Sequence, residues 1–304
     1  MDFPTVINRI YLFVSSLNFT GAFGFLALAV LYRHRCFNFP TLLACNTALA
    51  VLLNSANHLA IGVYMLIWDR YEYSTVDSLC PLRAYFHHST IAWIHHSFIL
   101  LAVDRYCKIR QVALLKSHNS KMCIVICQWI FDFTFDLPAL VTGNMPKLAT
   151  DNICFVVLTR LDFVLYMAAA SFLLTDISLS IIYRLLVRHI RDASSKFNSN
   201  QQVRMQRDLT VVRRIVLLNS QLFVAGIPVL VLIIITVIRV DLLPYKFMRI
   251  LLVMSNLPYS PMLVVLLLQT PDLRQSAIEC RNNIKFFRPI RVMPVQSISL
   301  SATA

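Results

Sequence analysis

The residues best suited to chemistry in this chain are the triplet Asp104-Arg105-Tyr106, which ends a long apolar run. Further cations follow within about one helical turn, at Lys108 and Arg110. Ionisable groups close to hydrocarbon are costly, so they are usually paired or functional. An acid and a base at the end of a membrane-length apolar segment, with cations just beyond, are typical of the cytoplasmic end of a transmembrane helix.

The overall composition indicates a membrane protein. Of the 304 residues, 58% are hydrophobic and only 14% are charged, whereas about a quarter of the residues of an ordinary soluble domain are charged. A net charge of +13 would favour nucleic acid as the partner of a soluble protein, but here the cations must be judged by their position relative to the apolar runs. The eight cysteines fit no CxxC pair or zinc spacing. We therefore predict no nucleic-acid partner, no metal and no cofactor.

Seven apolar segments are long enough to cross about 30 Å of hydrocarbon, which takes roughly 20 helical residues. They predict an all-α membrane protein built as a seven-transmembrane helix bundle from residue 10 to residue 268, with a short segment at 1–9 before it and a tail at 269–304. The segments are Ile10–Tyr32, Phe39–Trp68, Pro81–Tyr106, Met122–Val141, Leu161–Val187, Val211–Ile238 and Leu242–Leu268.

The distribution of cations predicts the orientation of the bundle. With seven spans the loops alternate between two sides, and twenty of the 28 Lys and Arg residues fall in the loops and tail on one of them. Cytoplasmic loops are enriched in these residues. The N-terminus is therefore predicted outside the cell and the C-terminus inside.

The tail begins with a short amphipathic segment. Residues 271–287 mix apolar and basic side chains, which is typical of a helix that lies in the inner membrane interface. Cys280 in this segment is a candidate for palmitoylation, and a free, inert cysteine is the alternative. Beyond it, serines and threonines are spaced as accessible targets for kinases.

With seven predicted spans, an external N-terminus and the Asp104-Arg105-Tyr106 triplet in place, the chain resembles a rhodopsin-like (class A) G-protein-coupled receptor. It resembles a divergent, orphan-type member of the neuropeptide-receptor kind. The resemblance implies a multi-pass receptor of the plasma membrane that activates a heterotrimeric G protein, with arrestin and receptor kinases acting on the Ser/Thr tail. It implies no enzymatic activity, and the sequence contains no catalytic set or phosphate-binding loop.

The resemblance also implies roles for individual residues. It implies a disulfide between Cys80 and Cys154. It places Asp208 where many members carry an acid that pairs with Arg105, and a solvated loop acid is the alternative. Tyr183 resembles a tyrosine that stabilises the active arrangement, and it fits equally well as an interfacial anchor. The prolines that resemble the family's helix hinges are Pro138, Pro228 and Pro261.

Three positions depart from the family pattern. Val51 stands where an aspartate usually holds sodium, Gly226 where span six commonly has tryptophan, and Val264 where span seven commonly has tyrosine. We therefore do not expect the usual sodium site, and the route of activation cannot be transferred from typical members.

A ligand pocket is predicted at the outer end. His87 precedes Arg105 by five turns of helix and shares its face. Together with His58 and the cations Arg83, Lys246 and Arg249 it predicts a basic mouth, suited to a peptide or a small anionic ligand. In the alternative interpretation, the cations extend to the lipid headgroups and His87 is a hydrogen-bonded core residue.

Three acids within the predicted spans keep a second function open. Asp132, Asp136 and Asp176 are intramembrane carboxyls, and such groups can be proton relays or substrate sites. They predict, as the alternative, a small-solute or proton transporter. Protonated or hydrogen-bonded structural acids, and a seven-span protein that does not signal, are the remaining possibilities.

Overall fold

The computed structural model describes residues 3–36, 38–71, 77–110, 117–148, 151–157, 160–193 and 247–286, together with isolated positions between 210 and 235. Asp208, Pro228 and Lys246 lie outside these residues, and so does most of the sixth predicted span.

The described chain is almost entirely helical. The first half contains α1 (Phe3–Leu31), α2 (Arg33–Cys36), α3 (Phe39–Tyr71), α4 (Cys80–Arg110), α5 (His118–Thr134) and α6 (Leu137–Val141). The second half contains α7 (Leu161–Ala168), α8 (Leu174–Ala193), α9 (Phe247–Asn256), α10 (Tyr259–Gln269) and α11 (Pro271–Phe286). A π-helical turn, Ala169–Leu173, joins α7 to α8.

Five helical segments are long and apolar enough to cross a membrane. This finding confirms a helical, multi-pass membrane protein, and the five segments overlap the first, second, fourth, fifth and seventh predicted spans. They are Phe3–Leu31, Phe39–Arg70, Asn119–Val141, Leu161–His189 and Phe247–Gln269. Because α1 begins at Phe3, it includes most of the segment that the sequence assigned to the N-terminus.

The third predicted span, α4, is different in character. It is 31 residues long and is not among the five apolar segments, because it carries four histidines together with serines, threonine and charged residues. It packs against α3, α5 and α8 and has 16 buried residues. A helix of mixed polarity is stable in a membrane when its polar groups are satisfied by other helices rather than exposed to lipid.

One end of the bundle, here called the disulfide end, is closed by a small hairpin. Strands β1 (Lys147–Leu148) and β2 (Ile153–Cys154) pair antiparallel, with Lys147 opposite Cys154. Cys154 is bonded to Cys80, the first residue of α4, with their Cα atoms 5.4 Å apart. The predicted disulfide is thus confirmed, and it fixes the hairpin across the start of α4.

Buried side chains form two main apolar clusters. One lies at the disulfide end around Met65, Met145 and Leu251. The other lies deeper and includes Phe98 and Val51, both fully buried. Val51 is therefore an apolar core residue.

Polar contacts hold α1 to the last helices. The Asn18 side chain donates to the Asn256 carbonyl oxygen at 2.8 Å and accepts a hydrogen bond from Ser260. Asn256 in turn donates to Ser15 at 2.8 Å. Such interhelical hydrogen bonds contribute about 0.6 to 2 kcal/mol each in membranes.

The helices α1 and α3 pack closely at Gly62. A Cβ at this position would lie 2.6 Å from Leu12 Cδ2 and 3.1 Å from Tyr11 Cδ1, whereas a Cβ at Gly24 would meet no described atom within 4 Å. We predict that Gly62→Val lowers stability by about 1–3 kcal/mol more than Gly24→Val, because only the former overpacks an interface. Thermal unfolding of the two purified variants measures the difference. Equal midpoints would contradict this packing.

Candidate functional site

A cavity of about 110 Å³ lies between α4, the residues that follow β2, α7, the π-helical turn, α9 and α10, in the half of the bundle nearest the disulfide end. Three histidines of α4, His87, His88 and His95, line it. The opposite walls are mainly apolar, with Met167 and Leu251 among their residues. Concave, mostly apolar cavities with a few convergent polar groups are the usual form of small-molecule sites.

One of these histidines, His87, belongs to a hydrogen-bonded relay that crosses three helices. His87 Nδ1 of α4 lies 3.1 Å from His58 Nε2 of α3. The other nitrogen of His58, Nδ1, shares a hydrogen bond with the Tyr11 hydroxyl of α1. All three side chains are buried. The structure therefore brings the two predicted pocket histidines into direct contact, and only His87 reaches the cavity.

His88 is the cavity residue with unused hydrogen-bonding capacity. Its Nε2 atom is buried and has no hydrogen-bond partner among the described residues. Its ring packs against Phe155, with the centroids 4.7 Å apart. A buried polar atom without a partner costs about 1–3 kcal/mol, so a ligand that supplied one would gain correspondingly.

Arg249, a predicted pocket cation, is held in an internal ion pair. Its Nη2 atom donates to Asp69 Oδ1 at 2.7 Å and to the Asp151 carbonyl oxygen at 2.9 Å, and Nη1 donates to Asp69 Oδ2. Asp69 also accepts hydrogen bonds from Asn8 at 3.0 Å and Asn152 at 3.1 Å. This group, here called the Asp69 clamp, joins α1, α3, α9 and the turn before β2.

Arg83, the second described cation of the predicted mouth, also has an acid of its own. Its Nη1 lies 2.6 Å from Asp77 Oδ2, and its guanidinium stacks 3.9 Å above the Tyr64 ring. The backbone N–H of Leu79 and the Arg83 side chain hold the pKa of the Asp77 carboxyl below its ordinary value. An anionic ligand was predicted from three cations. The two that the structure describes, Arg83 and Arg249, are each paired with an acid of the chain.

Two acids of the transporter hypothesis, Asp132 and Asp136, lie between helices rather than along the cavity, and the third, Asp176, lies in the first turn of α8. Asp132 is fully buried and bonded to His96 Nδ1, whose Nε2 contacts the Ala170 carbonyl oxygen at 2.9 Å. That carbonyl belongs to the π-helical turn. Asp136, equally buried, accepts a hydrogen bond from Ser89 at 3.2 Å. These contacts join α4 to α5 and to the π-helical turn.

The triplet Asp104-Arg105-Tyr106 lies in the last two turns of α4, at the end of the bundle opposite the disulfide. Tyr106 and Tyr183 both pack against the fully buried Leu186 of α8. Nearby, Arg110 Nη1 donates to His189 Nδ1 at 3.0 Å. The structure therefore brings Tyr183 to the triplet, while the predicted partner Asp208 lies outside the described residues.

The two described hinge prolines lie just after interruptions of their helices. Pro138 occupies the first turn of α6, after the break that ends α5 at Thr134. Pro261 is the third residue of α10, after a turn that ends α9 at Asn256. Their role as moving hinges stays a prediction.

The segment after the last span forms the helix α11 that the sequence predicts. The Asn38 side chain donates to Asp272, and Leu273 is fully buried, so this helix is attached to the end of the bundle that carries Arg105. Cys280 is partly exposed on it. Its palmitoylation stays a prediction.

Comparison with protein families gives a match over most of the chain. Residues 24–263 match the model of the 7 transmembrane receptor (rhodopsin family). The chain belongs to this family. It is therefore a G-protein-coupled receptor, as the triplet and the disulfide pattern predicted. A comparison with curated proteins gives no significant match for the receptor.

Sequence reasoning missed the acids that pair with the receptor's cations. Asp69 and Arg249 are 180 positions apart, and no periodicity relates them. Asp77 lies six residues before Arg83, in a loop rather than on the same helix face, so helical spacing gave no signal for it either. His88 lies about 100° from His87 around the helix, so the helical spacing that points to His87 gave no signal for His88.

The Asp69 clamp yields a prediction about stability. Arg249→Met leaves Asp69 without its cation and is expected to destabilise the receptor by about 3–5 kcal/mol, because Arg249 is almost fully buried. The double variant Asp69→Leu/Arg249→Met is expected to recover part of this loss, since it leaves no uncompensated charge. Thermal unfolding of the two single variants and the double variant measures the coupling. If the double variant loses as much stability as the two single variants together, the Asp69 clamp is contradicted.

Proposed function

We propose that this receptor binds an extracellular ligand in the cavity at the disulfide end and activates a heterotrimeric G protein at the Arg105 end, in the plasma membrane. The observation that carries the proposal is that one helix, α4, contributes to both places. His87 and Arg105 are 18 residues apart on it, about 27 Å along the axis. A ligand that stabilises one packing of α4 against its neighbours would thereby shift the conformational equilibrium at the Arg105 end.

The proposal assigns the cytoplasmic side to the end that carries Arg105. Arg105 and the cations around Lys108 and Arg110 would face the G protein and the anionic inner leaflet of the bilayer. Asp208 would hold Arg105 in the inactive state through a charge-assisted contact. Arrestin and receptor kinases would act through the Ser/Thr tail, and a palmitoyl group on Cys280 would anchor α11.

The ligand class needs revision in the light of the contacts. A peptide or small anionic ligand was predicted from Arg83, Lys246 and Arg249, and the first and last of these are paired with Asp77 and Asp69. The remaining support for that class is Lys246, outside the described residues. The histidine-lined cavity supports an uncharged, largely apolar ligand instead.

The transporter alternative has weaker support. Asp132 and Asp136 are bonded to His96 and Ser89 at helix contacts, which is the arrangement expected of structural acids. Transport would require a path to both sides past these residues. Proton flux into receptor-containing liposomes, lost in Asp132→Asn, would favour the transporter over the receptor.

Nucleotide exchange in added G protein tests the proposed coupling. We expect Asp208→Ala to raise the basal exchange rate several-fold, because Arg105 loses the acid that restrains it. Adding Arg105→Ala to this variant is expected to abolish the increase. Asp208→Glu, which keeps the charge, is the matched control and should resemble the wild type.

The assay uses equal amounts of folded receptor in nanodiscs with a panel of purified G proteins. An unchanged rate in Asp208→Ala would contradict the contact with Arg105. Undiminished exchange in the double variant would contradict the role of Arg105 in coupling.

A further inference from the structure

None of the described residues that line the cavity is an Asp, Glu, Lys or Arg. The lining consists of apolar side chains, three histidines and the hydroxyl groups of Ser171, Ser255 and Tyr259. Two cations at this end of the bundle, Arg83 and Arg249, are paired with Asp77 and Asp69. A charged ligand would therefore lose its hydration without gaining a counter-ion from these walls, which is strongly unfavourable.

The polar groups of the cavity are concentrated on α4. The buried Nε2 of His88 lacks a partner among the described residues. His87 uses Nδ1 for His58, which leaves Nε2 for a ligand. A neutral imidazole has one donor and one acceptor nitrogen. If both imidazoles adopt their other neutral tautomer and the Tyr11 hydroxyl turns from donor to acceptor, each of the three groups still carries one proton and His87 Nε2 changes from donor to acceptor. The relay can therefore match a hydroxyl or a carbonyl.

The far side of the cavity has room for an apolar group. Gly226 lines it, and a Cβ at this residue would meet no described atom within 4 Å. Met167 and Leu251 form apolar walls nearby. Apolar cavities of about 150 Å³ bind benzene, and the present cavity of about 110 Å³ is of that order.

We infer that this cavity binds a small, uncharged and largely apolar molecule, whose single hydrogen-bonding group meets His88 and His87 and whose apolar end fills the space beside Gly226. The inference rests on the proposed receptor function and specifies its ligand class. It replaces recognition by charge with recognition by shape and one or two hydrogen bonds, and it excludes carboxylates, amines and charged peptides as occupants.

Three probes with the same ring and different head charges test the inference: cyclohexanol, cyclohexanecarboxylate and cyclohexylammonium. The measurement is the thermal unfolding midpoint of the purified receptor as a function of probe concentration, because a molecule that binds only the folded state raises it. We expect cyclohexanol to raise the midpoint in a saturable manner and the two ions to leave it unchanged. His88→Phe is expected to weaken cyclohexanol about fivefold, through loss of one hydrogen bond.

Filled-cavity variants show where the probe binds. Gly226→Trp and, from α9, Ser255→Phe are expected to abolish the effect of cyclohexanol, whereas Gly226→Ala is expected to retain it. The two filling variants act from different helices, so the failure of one to fold leaves the other as the test.

Several results would overturn the inference. They are no saturable stabilisation by cyclohexanol, equal stabilisation by cyclohexanecarboxylate, or an undiminished effect in a folded filling variant. The assay contains no G protein, so its outcome is independent of nucleotide exchange. If cyclohexanol binds but the receptor does not promote nucleotide exchange, the proposed coupling is refuted and the inferred ligand class stands. If the receptor promotes exchange but cyclohexanol does not bind, the inferred ligand class is refuted and the proposed coupling stands.

Discussion

The contact on which the disulfide end of the receptor depends is the ion pair between Arg249 and Asp69. A guanidinium that is almost fully buried must have its charge and its donors satisfied inside the protein, and here the Asp69 carboxylate and the Asp151 carbonyl satisfy them. Since Asn8 and Asn152 bond to the same carboxylate, one acid fixes four parts of the chain. The pair also satisfies both charges within the protein, and the described lining of the cavity below contains no Asp, Glu, Lys or Arg.

The same requirement explains the position of α4. Its histidines, serines and threonine would be costly against lipid. The structure places them against α3, α5 and the π-helical turn, where they form hydrogen bonds with His58, Asn54 and Asp132 among others. The polar helix therefore becomes the centre of the bundle. Because it carries the cavity histidines at one end and Arg105 at the other, the groups that we propose for ligand binding and those that we propose for coupling belong to one helix.

Much of the fold could be predicted from sequence because length and hydropathy determine membrane helices. Five of the seven predicted apolar segments, the disulfide between Cys80 and Cys154 and the family were predicted correctly, and α11 is a helix where the amphipathic pattern predicted one. The pairing of charges could not be predicted. Arg249 gives the same sequence signal whether it faces a ligand or Asp69, and only the packing of α3 against α9 decides between these. Likewise, the relay from Tyr11 to His87 needs the relative rotation of three helices, which hydropathy does not specify.

The central claim is that the cavity is neutral because its neighbouring charges are paired internally. Ser255→Cys places a thiol in the lining, and its rates of modification by an anionic sulfonatoethyl, a cationic trimethylammonioethyl and a neutral methyl methanethiosulfonate report the local potential, with the wild-type receptor as the control for the other cysteines. We predict that the neutral reagent reacts fastest and that the ratio of the anionic to the cationic rate stays within about threefold of that for a free thiol, since a larger ratio requires a nearby unpaired charge. A ratio raised tenfold or more in favour of the anionic reagent would show an unpaired cation at the cavity and contradict the account.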